Sequence, residues 1–235
     1  MGIESVFPRT LFRLAGVPIR DSVLHTWIIM VVLLGIGIWA HDRMRVWDPK
    51  TWQLAIEYIV DYVEKLVVDT SGRALPDLVP YLTTMISFIL LANLLGIFPA
   101  MKAPTRDLNT TLALSVVSLG SWQAYGIRRR GLKAYLHTFI EPMAFMLPLN
   151  LLGLVSRMAS MALRLFGNVI AGEMIGAVMF LLVPVLAPLP LNLLGMITGV
   201  LQALVFTVLT LVFVVDAIGS EEDETGVSRE APGTI

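Results

Sequence analysis

The sequence predicts an all-α membrane protein, a single polytopic domain over residues 1–235 with five transmembrane helices and one amphipathic helix. Two observations carry this. Of 235 residues, 56% are hydrophobic and only 15% charged, with a mean hydropathy of +0.78, whereas ordinary soluble domains carry about 25% charged residues. The charges are also unevenly spread. Ser22 to Ala40, Leu78 to Ala100, Leu108 to Ile127 and Met174 to Val215 contain no Asp, Glu, Lys or Arg. A membrane-crossing helix needs roughly 20 mainly apolar residues. The last run is long enough for two passes, or for the end of one and all of another.

Taken in order, residues 1–21 read as a short polar arm, and span one covers about 22–40. The opening MGIESVFPRTLFRLAG has no apolar signal-peptide core, so the first span reads as a retained helix. HDRMRVWDPK follows as a charged, Trp-bearing interfacial loop. In TWQLAIEYIVDYVEKLVVD, 51–69, the charges Glu57, Asp61, Glu64 and Lys65 share one side. Trp52, Ala55, Ile56, Ile59, Val63, Leu66 and Val67 take the other. That periodicity predicts an amphipathic helix, lying along the membrane or packed on neighbouring protein. Its acidic polar face argues against attachment through anionic lipid.

Span two is about 78–98, and span three about 109–126, followed by RRRGLK. Glu141-Pro142 and Pro148 break the next apolar segment and predict a bent or re-entrant entry. Span four is a long helix of about 148–183. Pro184, Pro188 and Pro190 make a turn, span five is about 191–216, and the acidic tail 219–235 is expected to fray. Basic residues set orientation. Residues 41–77 and 128–137 hold five and four Lys/Arg, against three in 1–21, two in 100–108 and none in 184–190. The N-terminus is therefore expected outside and the C-terminus in the cytoplasm.

Charges inside the apolar spans need a purpose, because one at the bilayer centre costs at least ~2.5–3.5 kcal/mol. Arg157, Arg164 and Asn168 are spaced by seven and four and form one helical stripe, with Ser160 and Met161 between them. Such a stripe must face water or another protein. Glu173 lies about 13.5 Å further along on the opposite side, which excludes direct pairing with Arg164. It reads either as a carboxyl that takes up and releases protons or as half of a structural pair elsewhere. Arg164 stays charged and acts as a fixed cation. Arg157, nearer the helix start, joins the same path or snorkels to the interface. Gln202 and Thr198 share a face of span five, with Thr207 and Thr210 beyond; at this depth such groups hydrogen-bond across helices. GEMIG (172–176) and GMITG (195–199) fit Gly-x3-Gly and permit close helix approach.

The remaining chemistry is quickly bounded. There is no cysteine, and a net charge of −1 offers nothing to nucleic acid. His25, His41 and His137 form no metal-ligand set. With neither a phosphate-binding glycine loop nor a nucleophile elbow, no cofactor and no catalytic residue is expected.

LRLFGNVIAGE (163–173), LQALVFTVLTLVF (201–213), ANLLGIFP (92–99), PTRDLNTTLALS (104–115) and the acidic SEED near the end resemble subunit a of the F-type ATP synthase, in order over about residues 20–225. The resemblance implies an ion-translocating stator subunit, itself non-catalytic, with two aqueous half-channels. Arg164 matches the family's essential arginine, which faces a c-subunit ring with one buried carboxyl per subunit. Asn168, Glu173 and Gln202 match positions lining the ion path. Helix 51–69 matches the family's horizontal helix, and spans four and five its long tilted hairpin around the ring. The implied partners are the c-ring, peripheral-stalk b subunits, the rest of the synthase and the lipid bilayer. The short N-terminal arm, with no transit peptide, favours a bacterial plasma membrane.

Three positions depart from the family pattern. Asn150 in LPLN stands where members often carry Glu, so a carboxyl at the cytoplasmic mouth is expected to be missing. Met158 replaces a frequent proline after the basic Arg157. Gly195 replaces an ionisable residue that works with the Glu173 position, so Glu173 is expected to act alone on its side. The rival reading is a stand-alone secondary ion transporter; against it, the halves show no internal repeat and five spans do not divide evenly. A non-conducting scaffold subunit is the third reading, and it predicts that Arg164→Gln leaves flux intact.

Overall fold

A computed structural model describes residues 10–14, 17–44, 50–96, 101–133, 135, 137, 146–182 and 188–219. The expected break at Glu141-Pro142, the turn residue Pro184 and the tail beyond Gly219 lie outside these residues. Six long helices dominate: α1 (Asp21–Arg43), α2 (Thr51–Ser71), α3 (Val79–Leu95), α4 (Leu108–Arg130), α5 (Met146–Leu182) and α6 (Pro188–Gly219). The bounds of α1, α3 and α4 follow charge-free runs to within a few residues, whereas α2 and α5 carry charges within them. A 3-10 turn, Pro104–Arg106, leads into α4.

The expectation of a polar arm and a purely helical fold needs one correction. Strands β1 (Thr10–Leu14) and β2 (Val17–Arg20) pair antiparallel, with Phe12 opposite Ile19 and Leu14 opposite Val17. TLFRL and VPIR are rich in β-branched and aromatic residues, and Pro18 is tolerated because a two-stranded ribbon is all edge.

Among the described residues, α1, α5 and α6 are long and apolar enough to cross a membrane, and α3 is a shorter apolar helix of 17 residues. At 23 residues α4 is also long, but its inner face is hydroxylic. Thr111, Ser115 and Ser118 are buried, and Ser118 shares a 2.8 Å hydrogen bond with Thr210 of α6.

α6 is the spine. Leu211, Val214, Ala217 and Ile218 near its end pack with Val63 and Val67 of α2, Leu82 of α3 and Trp122 of α4. One to two turns earlier, Ala203 and Phe206 pack with Met85 and Ile89 of α3 and Met161 and Leu165 of α5. Thus α2 buries Val63 and Val67 against protein and leaves Asp61, Glu64 and Lys65 exposed, as its periodicity predicted. It ends at Gly72, whose φ of 68° is left-handed backbone that glycine adopts without a Cβ penalty. The outer sides of α1 and α5 expose Leu34, Ile38, Leu152, Leu163 and Leu181, the surface a helix offers to lipid.

Candidate functional site

α5 is helical without interruption over 37 residues, which carries Arg157, Arg164, Asn168 and Glu173 on one rigid rod. Met161, Ala162 and Leu165 turn inward and are buried. Arg164, beside them in sequence, is exposed. Among the described residues it has neither an ion-pair nor a hydrogen-bond partner. Asn168, one turn on, is half-buried and likewise has no partner among them.

Arg157 behaves differently. Its guanidinium sits 5.5 Å from the ring centre of Trp122 and 5.1 Å from that of Phe213, and Nη1 lies 3.5 Å from Asp216 Oδ2. The two arginines of the stripe therefore part: Arg157 is tied to α4 and α6, while Arg164 is left open. Asn150 lies half-buried near the start of α5.

Glu173 is 27% exposed, and its Oε2 lies 3.9 Å from Nη1 of Arg106. Glu173 was expected to act alone on its side; the structure gives it a charged neighbour, Arg106, within 4 Å. Gly195 supplies no charge, but the turn before α4 does. Arg106 is 1% exposed and ion-pairs through Nη2 with Asp21 at the start of α1. Next to it, Asp107 accepts from Arg20 Nη1 at 3.0 Å and from Ser22 Oγ at 2.7 Å. Its Oδ1 also accepts the Asn109 backbone N–H and so caps α4. Thr105 donates to Asn93 Oδ1 at 2.8 Å, and Asn93 Nδ2 donates to the Gly199 carbonyl at 2.9 Å. The segment 104–107 thereby ties α1, α3, α4, α5 and α6 together.

In the sequence PTRD is an ordinary polar stretch between spans two and three. The missed residues are Asp21, Arg106 and Asp107. The only local signal was Asp107 directly before a helical run, an N-cap pattern; the pairing partners lie 85 to 87 residues away.

On span five, Gln202 is 7% exposed, but its expected interhelical hydrogen bond is not formed among the described residues. Thr198 and Thr207 bond the carbonyls of their own helix. The cross-helix bonding falls instead to Thr210 with Ser118 and to Asn93 with Gly199. Of the glycines in the two Gly-x3-Gly patterns, Gly199 alone sits close to a neighbour: a Cβ there would meet Asn93 Cβ at 3.0 Å. Gly172, Gly176 and Gly195 have open space around them, so they do not serve close packing inside this chain. Among the described residues no cluster of metal-ligating side chains occurs.

These features define a helical membrane protein that holds several charged side chains on or against its apolar helices. The chain belongs to the ATP synthase A chain family, whose family model matches residues 23–215. It is 37% identical to ATP synthase subunit a of Moorella thermoacetica over 213 residues, covering 91% of this chain and 97% of that protein. It is 35% identical to ATP synthase subunit a 2 of Picosynechococcus sp. over 216 residues, covering 91% and 92%. With ATP synthase subunit a of Legionella pneumophila strain Paris it shares 32% identity over 226 residues, covering 94% and 96%.

Proposed function

We propose that this chain is the ion-translocating stator subunit of a rotary F-type ATP synthase, with Arg164 facing the carboxylates of a c-subunit ring. The observation that carries the reading is Arg164 itself. An exposed guanidinium midway along a 37-residue apolar helix, with no counter-ion among the described residues, is too costly to face lipid and needs an anion from another chain.

The physics follows from that requirement. A ring carboxyl crosses the lipid-facing part of its path protonated and neutral. Beside Arg164 it ionises, gaining a partner worth more at low dielectric than in water. A proton or Na⁺ arriving through one aqueous half-channel neutralises the next carboxyl, and the arginine keeps the two half-channels from short-circuiting. Each elementary charge moved through the membrane potential yields ~2.3 kcal/mol per 100 mV, which the ring delivers to nucleotide sites on other subunits. Asn168, Glu173 and Gln202 line the path. Arg157 and Asn150 belong to its cytoplasmic side or to the interface there.

In this reading all five apolar helices, α1 and α3 to α6, cross the membrane, and α5 with α6 forms the tilted hairpin around the ring. α2 lies along the surface, the N-terminus is outside and the C-terminus is cytoplasmic, in a bacterial plasma membrane. Peripheral-stalk b subunits hold the chain still against the ring.

The test is Arg164→Gln in the intact complex. Proton pumping should fall to background while the complex assembles with normal stoichiometry. Undiminished pumping would sink the mechanism. Purification of the tagged chain in mild detergent is the companion experiment: a multi-copy proteolipid and ATPase subunits should come with it, whereas recovery of the chain alone would favour a free-standing transporter.

A further inference from the structure

Arg106 stands between two carboxylates that arrive from different helices. Its Nη2 pairs with Asp21 on α1, and its Nη1 lies 3.9 Å from Glu173 on α5. The three side chains differ in exposure: Arg106 is 1% exposed, Asp21 14% and Glu173 27%. Asp21 is further held by the Ser22 backbone N–H at 2.9 Å. Glu173 stands outside the usual 2.7–2.9 Å of a charge-assisted hydrogen bond, attracted but not locked. Among the described residues the charged groups acting on it are Arg106, Lys102 and Asp21, with the Arg20–Asp107 pair beside Arg106 and Asp21.

Resting on the reading above, we propose that Glu173 is the exchangeable member of a three-residue unit. Arg106 is its positioning residue, and Asp21 is the competing anion that keeps Arg106 from holding Glu173 permanently. The guanidinium remains charged throughout. When Glu173 takes a proton, Arg106 and Asp21 remain a complete ion pair, so no bare charge is left buried. When Glu173 releases it, the carboxylate formed already faces Nη1. The most exposed of the three groups therefore exchanges, and the two behind it absorb the change in charge.

The experiment uses the whole synthase reconstituted in vesicles. Passive flux through the membrane sector, driven by a potassium–valinomycin potential, is followed against pH with an entrapped pH dye and with a sodium tracer. The pH of half-maximal flux reports the ionisation of Glu173 whichever ion is carried. Arg106→Gln should move that midpoint to the alkaline side by about one pH unit or more, as expected for removing an opposite charge at this range. Asp21→Asn should move it to the acidic side, because Arg106 then serves Glu173 alone. Arg106→Lys should keep it near the wild-type value. A purely structural role predicts loss of flux with no opposed shifts, so midpoints that stay put or move together overturn the proposal.

If Arg106→Gln does not assemble, Asp21→Asn and Arg106→Lys decide it alone, with an unshifted Asp21→Asn counting against. An Arg164→Gln control separates the two levels. Flux persisting there overturns the stator reading itself, whereas flux lost there with unshifted Arg106 and Asp21 variants overturns only this unit.

Discussion

Where α1 and α4 begin, the charged side chains neutralise one another: Arg20 with Asp107, and Arg106 with Asp21 and Glu173. Midway along α5, Arg164 points outward with no partner among the described residues. Both regions place guanidinium groups against apolar helices. Breaking a buried ion pair by removing one member typically costs 3–5 kcal/mol, because a charge is stranded; the first region is therefore bound into the stability of the bundle. Arg164 strands nothing inside the chain when it is replaced. A charge whose removal costs the fold little, yet whose presence is expensive in a membrane, belongs to an assembly larger than the chain.

The sharpest way to break this comparison is to melt the Arg164→Gln complex. Transport should vanish, while the thermal midpoint stays at the wild-type value. A large fall in melting temperature would mean that Arg164 has an internal structural role after all. Asp107→Ala should do the reverse. It removes the α4 cap, the Ser22 hydrogen bond and the partner of Arg20, and should cost about 2–3 kcal/mol, read as earlier thermal dissociation in detergent. The loss should recover partly in Asp107→Asn, which still caps.

Gly199→Leu should cost about 1–3 kcal/mol by overpacking against Asn93, whereas Gly195→Ala, with open space around it, should leave the melting of the purified subunit unchanged or slightly raised. Among the losses, those at Arg157 and its partners are the smallest. Arg157→Ala should lose about 1 kcal/mol from its contacts with Trp122 and Phe213, and Asp216→Asn no more than about a few tenths, since that pair is exposed to solvent. Equal losses in the two would show the ion pair, not the rings, to be what holds Arg157.

Much of this was legible in the residues. The bounds of α1 and α3 follow charge-free runs because a helix in lipid must be apolar all round, and α2 stands out because it is apolar on one side only. Arg164 was legible for the same reason, as a charge out of place. The cluster around Arg106 was not. PTRD is an ordinary polar stretch until α1 and α5 are brought to it, and no local pattern encodes a contact with Asp21 or Glu173. The β1–β2 ribbon is not legible in this way: Leu11 and Phe12 are adjacent apolar residues, so TLFRL shows no clean alternation, and eleven residues beside a long apolar run read as a tail. Gln202 misled in the other direction: an amide in a span suggests a hydrogen bond across helices, but Asn93 and Thr210 make those bonds instead.

The serine and threonine face of α4 bears on how the chain is made. Ser118 meets its partner, Thr210, only after 92 further residues have been synthesised. Until α6 leaves the ribosome, α4 would present Ser118 without its partner; Thr111 and Ser115 donate to carbonyls of their own helix, but the face they line lacks the uniform apolarity that would let it settle alone. Biogenesis should thus run out of chain order, with α1 and α3 entering first and α4 committing when the last helix arrives. A nascent chain stopped before residue 188 should leave α4 open to aqueous thiol-labelling at an introduced cysteine, and the full-length chain should close it.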